Sequence, residues 1–146
     1  MQPDIHLNYW AILAAMVANI AIGFLWYGPL FGKAWMREVG MAADHKPAPG
    51  VMMRAMILMV VGAFLTAFVL AHSVEVWRPS TWKVGPDAPH ATYGFYSAFF
   101  TWIGFYVPVL LGSVAWESKS WKLFGINAGY YFTALLAAGM ILAFWR

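Results

Sequence analysis

Charged residues divide this chain into four long apolar windows. Residues 5–32, 55–74, 88–116 and 123–145 contain no Asp, Glu, Lys or Arg. Each is at least as long as the ~20 apolar residues a helix needs to cross a hydrocarbon core of ~30 Å. Backbone polar groups in a bilayer must bond within the protein, so windows of this kind read as helices. The expected spans are residues 8–28, 51–73, 92–115 and 123–144. The pattern predicts an all-α integral membrane four-helix bundle in a single domain.

Two prolines modify these helices. Pro29 removes a backbone hydrogen bond and crowds the preceding turn, so the first span is expected to end near Gly28. Residues 29–39 then read as a short interfacial segment, with Leu30, Phe31, Ala34 and Trp35 at helical spacing and Lys33 and Arg37 on another face. Pro108 lies inside the third span and predicts a kink.

The nine basic residues sit near the span ends. Lys33, Arg37, Lys46, Arg54, Lys119 and Lys122 flank the loops after spans one and three, against Arg78, Lys83 and Arg146 on the other side. The excess predicts that those two loops face the cytoplasm and that both termini face outward. A bacterial cytoplasmic membrane is the expected setting. Eight of the nine tryptophans fall near predicted interfaces, where an amphipathic ring is favoured. Trp102 is mid-span, and its indole N–H needs a partner within the bundle.

Composition narrows the function classes. The apolar fraction is 62% and the charged fraction 10%, against roughly 45–50% and ~25% in soluble domains. No soluble catalytic module fits beside four spans. The absence of cysteine excludes disulfides, thiolate metal sites and cysteine nucleophiles. The net charge of +3 does not imply nucleic-acid binding, because the basic residues mark membrane edges. Residues 2–6 lack a basic leader, so the first span is expected to persist in the mature protein.

A half-repeat is visible. Ile22-Gly23-Phe24 precedes Ala34-Trp35 by the interval that separates Ile103-Gly104-Phe105 from Ala115-Trp116. It suggests a parallel repeat of two-helix units.

Two stretches carry a family resemblance. One runs from Asn8-Tyr9-Trp10-Ala11 into Gly23-Phe24-Leu25-Trp26-Tyr27-Gly28-Pro29-Leu30-Phe31-Gly32-Lys33-Ala34-Trp35-Met36. The other is Trp121-Lys122-Leu123-Phe124-Gly125-Ile126-Asn127-Ala128-Gly129-Tyr130. Together they resemble the uncharacterised family named "domain of unknown function 1761", small membrane proteins with about four helices. The resemblance implies membership and topology. It implies no activity, substrate or catalytic residue.

Each candidate site has a structural reading beside its functional one. The segment from Trp26 to Trp35 forms either a lipid-headgroup cradle, with Lys33 and Arg37 meeting anionic lipid, or a plain interfacial elbow. Asn19 and Asn127 must find partners in the bundle, as interhelical glue or as the lining of a polar path with Thr101 and Thr133. Gly125 and Gly129, four residues apart and followed by Tyr130, predict close helix contact within the bundle or between protomers. Met52, Met56 and Met59 share a helix face that suits flexible packing better than Cu(I). His6, His72 and His90 match no metal or haem spacing.

No predicted span carries a carboxylate or other catalytic ionisable group at its centre. Proton-coupled transporters and intramembrane enzymes ordinarily need one. No catalytic residue, cofactor or metal is expected. The leading expectation is a structural or interaction protein, either a homo-oligomer or an accessory subunit of a membrane complex, with membrane lipids as its surroundings. The alternative is a passive channel or carrier for a small neutral solute or lipid. A dry bundle would favour the first, and a polar cavity the second.

Overall fold

The computed structural model describes residues 2–42 and 44–146. The elements are α1 (Tyr9–Leu30), α2 (Gly32–Glu38), α3 (Pro49–Val76), α4 (His90–Glu117) and α5 (Trp121–Phe144). All but α2 are long and apolar enough to cross a membrane. Asn8 caps α1 by accepting from the Trp10 and Ala11 N–H groups, and Ser120 caps α5 through the Leu123 N–H. Side-chain caps of this kind satisfy otherwise unpaired first-turn donors.

The last helix is the centre of the bundle. α5 buries the largest share of its apolar window and α4 the smallest. α5 packs against α1, α3 and α4. At the end that carries the chain termini the packing is tight. Its core is built from small residues, including Ala11, Ala15, Ala67, Ala71, Ala98 and Ala138, with Ile12, Leu70 and Leu135 between them. Small side chains let helix backbones approach, which replaces the hydrophobic drive that is missing between helices in lipid. The closest approach is the α4–α5 crossing. A Cβ on Gly94 would lie 2.8 Å from the Gly139 carbonyl oxygen, and one on Gly139 would lie 2.5 Å from that of Gly94.

The same end is locked by charge. Arg78, just beyond α3, has no exposed surface. Its guanidinium meets Glu75 at 3.0 Å and Asp87 at 3.5 Å, donates to the Ala143 carbonyl at 2.8 Å, and lies over the Tyr93 ring. Arg146 reaches the other oxygen of Glu75 at 3.1 Å. The charges lie at the helix ends as expected, but here Glu75 and Arg78 are buried together. α3 extends past residue 73 to include Glu75, which is 4% exposed. Breaking such a buried pair costs about 3–5 kcal/mol, because the remaining charge is left unpaired.

The opposite end is looser. No residue of α3 before Ala67 is buried. There the facing positions of α1, α4 and α5 carry aromatic side chains instead of alanine, and α3 stands away from them across a cleft.

Candidate functional site: a tyrosine-lined cleft

The prolines act through wide helical turns. α1 ends at Leu30, two residues past Gly28. It widens at Trp26–Leu30, where the Phe31 N–H reaches back five residues to the Trp26 carbonyl at 2.8 Å. The wider turn tolerates the N–H that Pro29 lacks. The chain then breaks at Phe31 and starts α2. A Cβ on Gly32 would sit 2.5 Å from the Tyr27 carbonyl oxygen, so this corner needs glycine. α4 repeats the device at Trp102–Tyr106, one residue before the Val107-Pro108 step, with the Val107 N–H bonding the Trp102 carbonyl.

Both wide turns begin with Trp-x-Gly, and both tryptophans grip α5. The Trp26 indole N–H donates to the Ile126 carbonyl and that of Trp102 to the Ala128 carbonyl, each at 2.9 Å. Trp102 thus finds the partner its mid-span position demands. The structural correspondence pairs Trp26 and Gly28 with Trp102 and Gly104. That register differs from the Ile-Gly-Phe alignment read in the sequence.

The two family stretches meet at this place. Tyr27 Oη donates to Asn127 Oδ1 at 2.8 Å. The Tyr27 and Tyr130 rings pack edge to face, with centroids 5.0 Å apart. Gly129 faces Trp26, and an added Cβ would come within 3.0 Å of its ring. Gly23 gives the Tyr130 hydroxyl room in the same way, at 3.3 Å. Tyr130 Oη makes a long contact, 3.5 Å, to the Asn19 carbonyl.

These contacts form one wall of a cleft of about 770 Å³. α1 contributes Asn19 and Tyr27, α2 contributes Trp35, and α4 contributes Tyr106. Across from α5, α3 contributes Met52, Met59, Gly62 and Thr66. Thr66 and Tyr106 bridge the two sides through their hydroxyls, 3.2 Å apart. Asn19 is 5% exposed, and its Oδ1 has no hydrogen-bond partner among the described residues. An unpartnered buried amide oxygen is costly, and this one belongs to a residue of the cleft wall. Among the described residues, no Asp, Glu, Lys, Arg or His lines the cleft.

The sequence candidates divide sharply. Asn19, Tyr27, Trp35 and Tyr130 line the cleft, and Trp26, Gly32, Asn127 and Gly129 support it from behind. The expected polar path is corrected: Asn127 is bound to Tyr27, and Thr133 bonds back to the Gly129 carbonyl at 2.9 Å. Neither Thr101 nor Thr133 is part of the lining. Lys33 is exposed, with no carboxylate within 4 Å among the described residues, and Pro108 and Gly125 are exposed as well. The histidines are held apart. His6 pairs with Asp4, His72 bonds the Phe68 carbonyl, and His90 meets Arg78. Thr66, Tyr106 and Tyr131 are functional candidates that the sequence reading missed. Their signal was uncharged hydroxyls within spans, which periodicity alone could not bring to a common cleft.

Four apolar helices around an uncharged cleft define a small multi-pass membrane protein. The chain belongs to the family described as "Protein of unknown function (DUF1761)", whose family model matches residues 10–143. No curated protein and no solved structure matches it.

Proposed function

We propose that the protein binds a small lipophilic molecule within the membrane, as a carrier or binding protein rather than as an enzyme. The observation that carries this reading is Asn19, buried at the cleft with its carboxamide oxygen unpartnered. A cleft of about 770 Å³ falls within the roughly 300–1,000 Å³ range of small-molecule sites, which combine apolar walls with a few placed polar groups. Both family stretches converge on its wall. Substrate sites of membrane carriers commonly lie beside irregular helix turns, and this cleft lies beside Trp26–Leu30 and Trp102–Tyr106.

The reading as an oligomer or accessory subunit rests on the lack of charged groups in the spans, the minimal loops and the small-residue faces, of which the last span carries the clearest. Gly129 and Gly139 are occupied inside the bundle by Trp26 and Gly94. Gly125 alone remains open, which is why the cleft reading is preferred.

The test fills the cleft. Gly62 lines it and has nothing within 4 Å of an added Cβ, so Gly62→Leu projects into the space without a clash there. Wild-type protein in lipid nanodiscs should carry a saturable small-molecule adduct in native mass spectrometry, and Gly62→Leu should lose it while keeping its helical circular dichroism. Adducts of equal occupancy in both proteins, or none in the wild type, would overturn the proposal.

A further inference from the structure

We infer that the cleft selects an organic monocation, a lipophilic alkyl- or arylammonium, over a neutral molecule of the same shape. The inference rests on reading the cleft as a binding site and concerns the charge of what enters it.

The first observation is the wall. Six aromatic side chains line the cleft: Phe24, Tyr27, Trp35, Tyr106, Tyr130 and Tyr131. Four of their contacts form a continuous series. Trp35 meets Tyr27 at 5.7 Å between centroids, Tyr27 meets Tyr130 at 5.0 Å, Tyr130 meets Tyr131 at 5.0 Å, and Tyr131 meets Tyr106 at 4.5 Å. Aromatic faces carry negative quadrupole potential. A cation seated on them is attracted, more strongly when water is excluded.

The second observation is the balance of polar groups. Tyr27 gives its hydroxyl hydrogen to Asn127 Oδ1, Tyr130 directs its own to the Asn19 carbonyl, and Thr66 and Tyr106 share a contact. Much of the donor capacity is therefore taken. The Asn19 carboxamide oxygen is not: it is buried and unpartnered on a residue of the cleft wall, and it is the acceptor assigned here to an ammonium N–H. The thioether sulfurs of Met52 and Met59 add polarizable surface on the facing wall.

The third observation is that no described lining residue is Lys, Arg, His, Asp or Glu: nothing in the lining repels a cation, and nothing there neutralises one, so its recognition falls to the rings and the amide. A charge within the bilayer is costly, so one ring would not suffice. Several faces with one amide acceptor act together, which is how aromatic cages hold quaternary ammonium groups.

The experiment compares octylammonium with octanol, which share a chain and differ in the charged head. Each is titrated calorimetrically into wild-type protein in zwitterionic nanodiscs, with empty nanodiscs subtracted. Octylammonium should bind at least about tenfold tighter than octanol. Tyr131→Phe should keep the preference, since the ring remains, and Tyr131→Leu should lose most of it. Octanol binding as tightly as octylammonium, in a component that Gly62→Leu removes, would overturn the cation inference and leave the cleft reading standing. Saturable binding of neither probe would remove both. Equal loss in Tyr131→Phe and Tyr131→Leu would assign the selectivity to the hydroxyl and overturn the role of the rings. The wild-type comparison decides the matter even if the Tyr131 variants fold poorly.

Discussion

At the scale of single residues, glycines with identical helical surroundings have opposite roles. Gly94 faces a backbone carbonyl that an added Cβ would approach to 2.8 Å, whereas Gly125 has nothing within 4 Å. Gly94→Ala must push α4 from α5 and is expected to cost about 1–3 kcal/mol, as overpacking does. Gly125→Ala should be neutral or stabilising by up to about 1 kcal/mol, since alanine is the better helix former. Thermal unfolding of the two variants in one detergent checks the contrast, and equal midpoints would contradict the crossing. Asp87 supplies a second test. Desolvation pushes its carboxyl pKa up, but hydrogen bonds from the Ser80 N–H and hydroxyl, with Arg78 and Arg146 nearby, outweigh it and leave the net value lowered. A lowered folded pKa contributes stability that is complete above the unfolded value of about 3.9 and is lost as pH falls through the folded one. Melting midpoints should therefore drop on acidification below about pH 4. Asp87→Asn should flatten that drop and lower the midpoint at neutral pH.

At the scale of elements, the wide turns explain how prolines sit in long helices without breaking the bundle. Each turn presents a tryptophan to α5, and the two indoles bond carbonyls two residues apart, Ile126 and Ala128. Trp26→Phe and Trp102→Phe should each cost roughly 0.6–2 kcal/mol, the range of hydrogen bonds between membrane helices. Because both act on one short stretch of α5, the double variant should deviate from additivity. Reversible unfolding of the four proteins in that cycle measures the coupling, and strict additivity would show that the two grips are independent. α2 is amphipathic by placement. Trp35 lines the cleft, while Lys33 and Arg37, four residues apart and exposed, share another face.

At the scale of the whole molecule, the bundle is tight at one end and open at the other. Alanine and glycine pack the end that holds the termini, and Arg78 ties α3, α4, α5 and the loop between α3 and α4 together there. The cleft end is held apart by tyrosines and tryptophans. The loop at residue 86 and the loop at residue 48 lie at opposite ends of the spans. With the orientation favoured by the basic residues, cysteine at position 86 should react with an impermeant thiol reagent in intact cells, and cysteine at position 48 only after permeabilisation. The reverse labelling would invert the protein, and labelling of both from one side would exclude four crossings.

The sequence by itself determined the class and the spans. Four uncharged windows can satisfy their backbone in lipid only as helices, and their length sets the crossings. It also marked Trp26, Tyr27, Asn127 and Tyr130, because the two family stretches are local in the chain. The register of the Trp-x-Gly turns was present in the letters, but short apolar matches align in more than one way. Only the tertiary structure decided that the last span is central, that Gly139 answers Gly94 while Gly125 answers nothing, and that Glu75 and Arg78 are buried together. It alone brought Thr66, Tyr106 and Tyr131 to the cleft that Asn19 lines. Periodicity is weak in these spans, since both lipid and protein favour apolar side chains and the face that turns inward leaves little trace in hydrophobicity. Which face turns inward depends on where small residues let two backbones meet, and that is a property of pairs of helices.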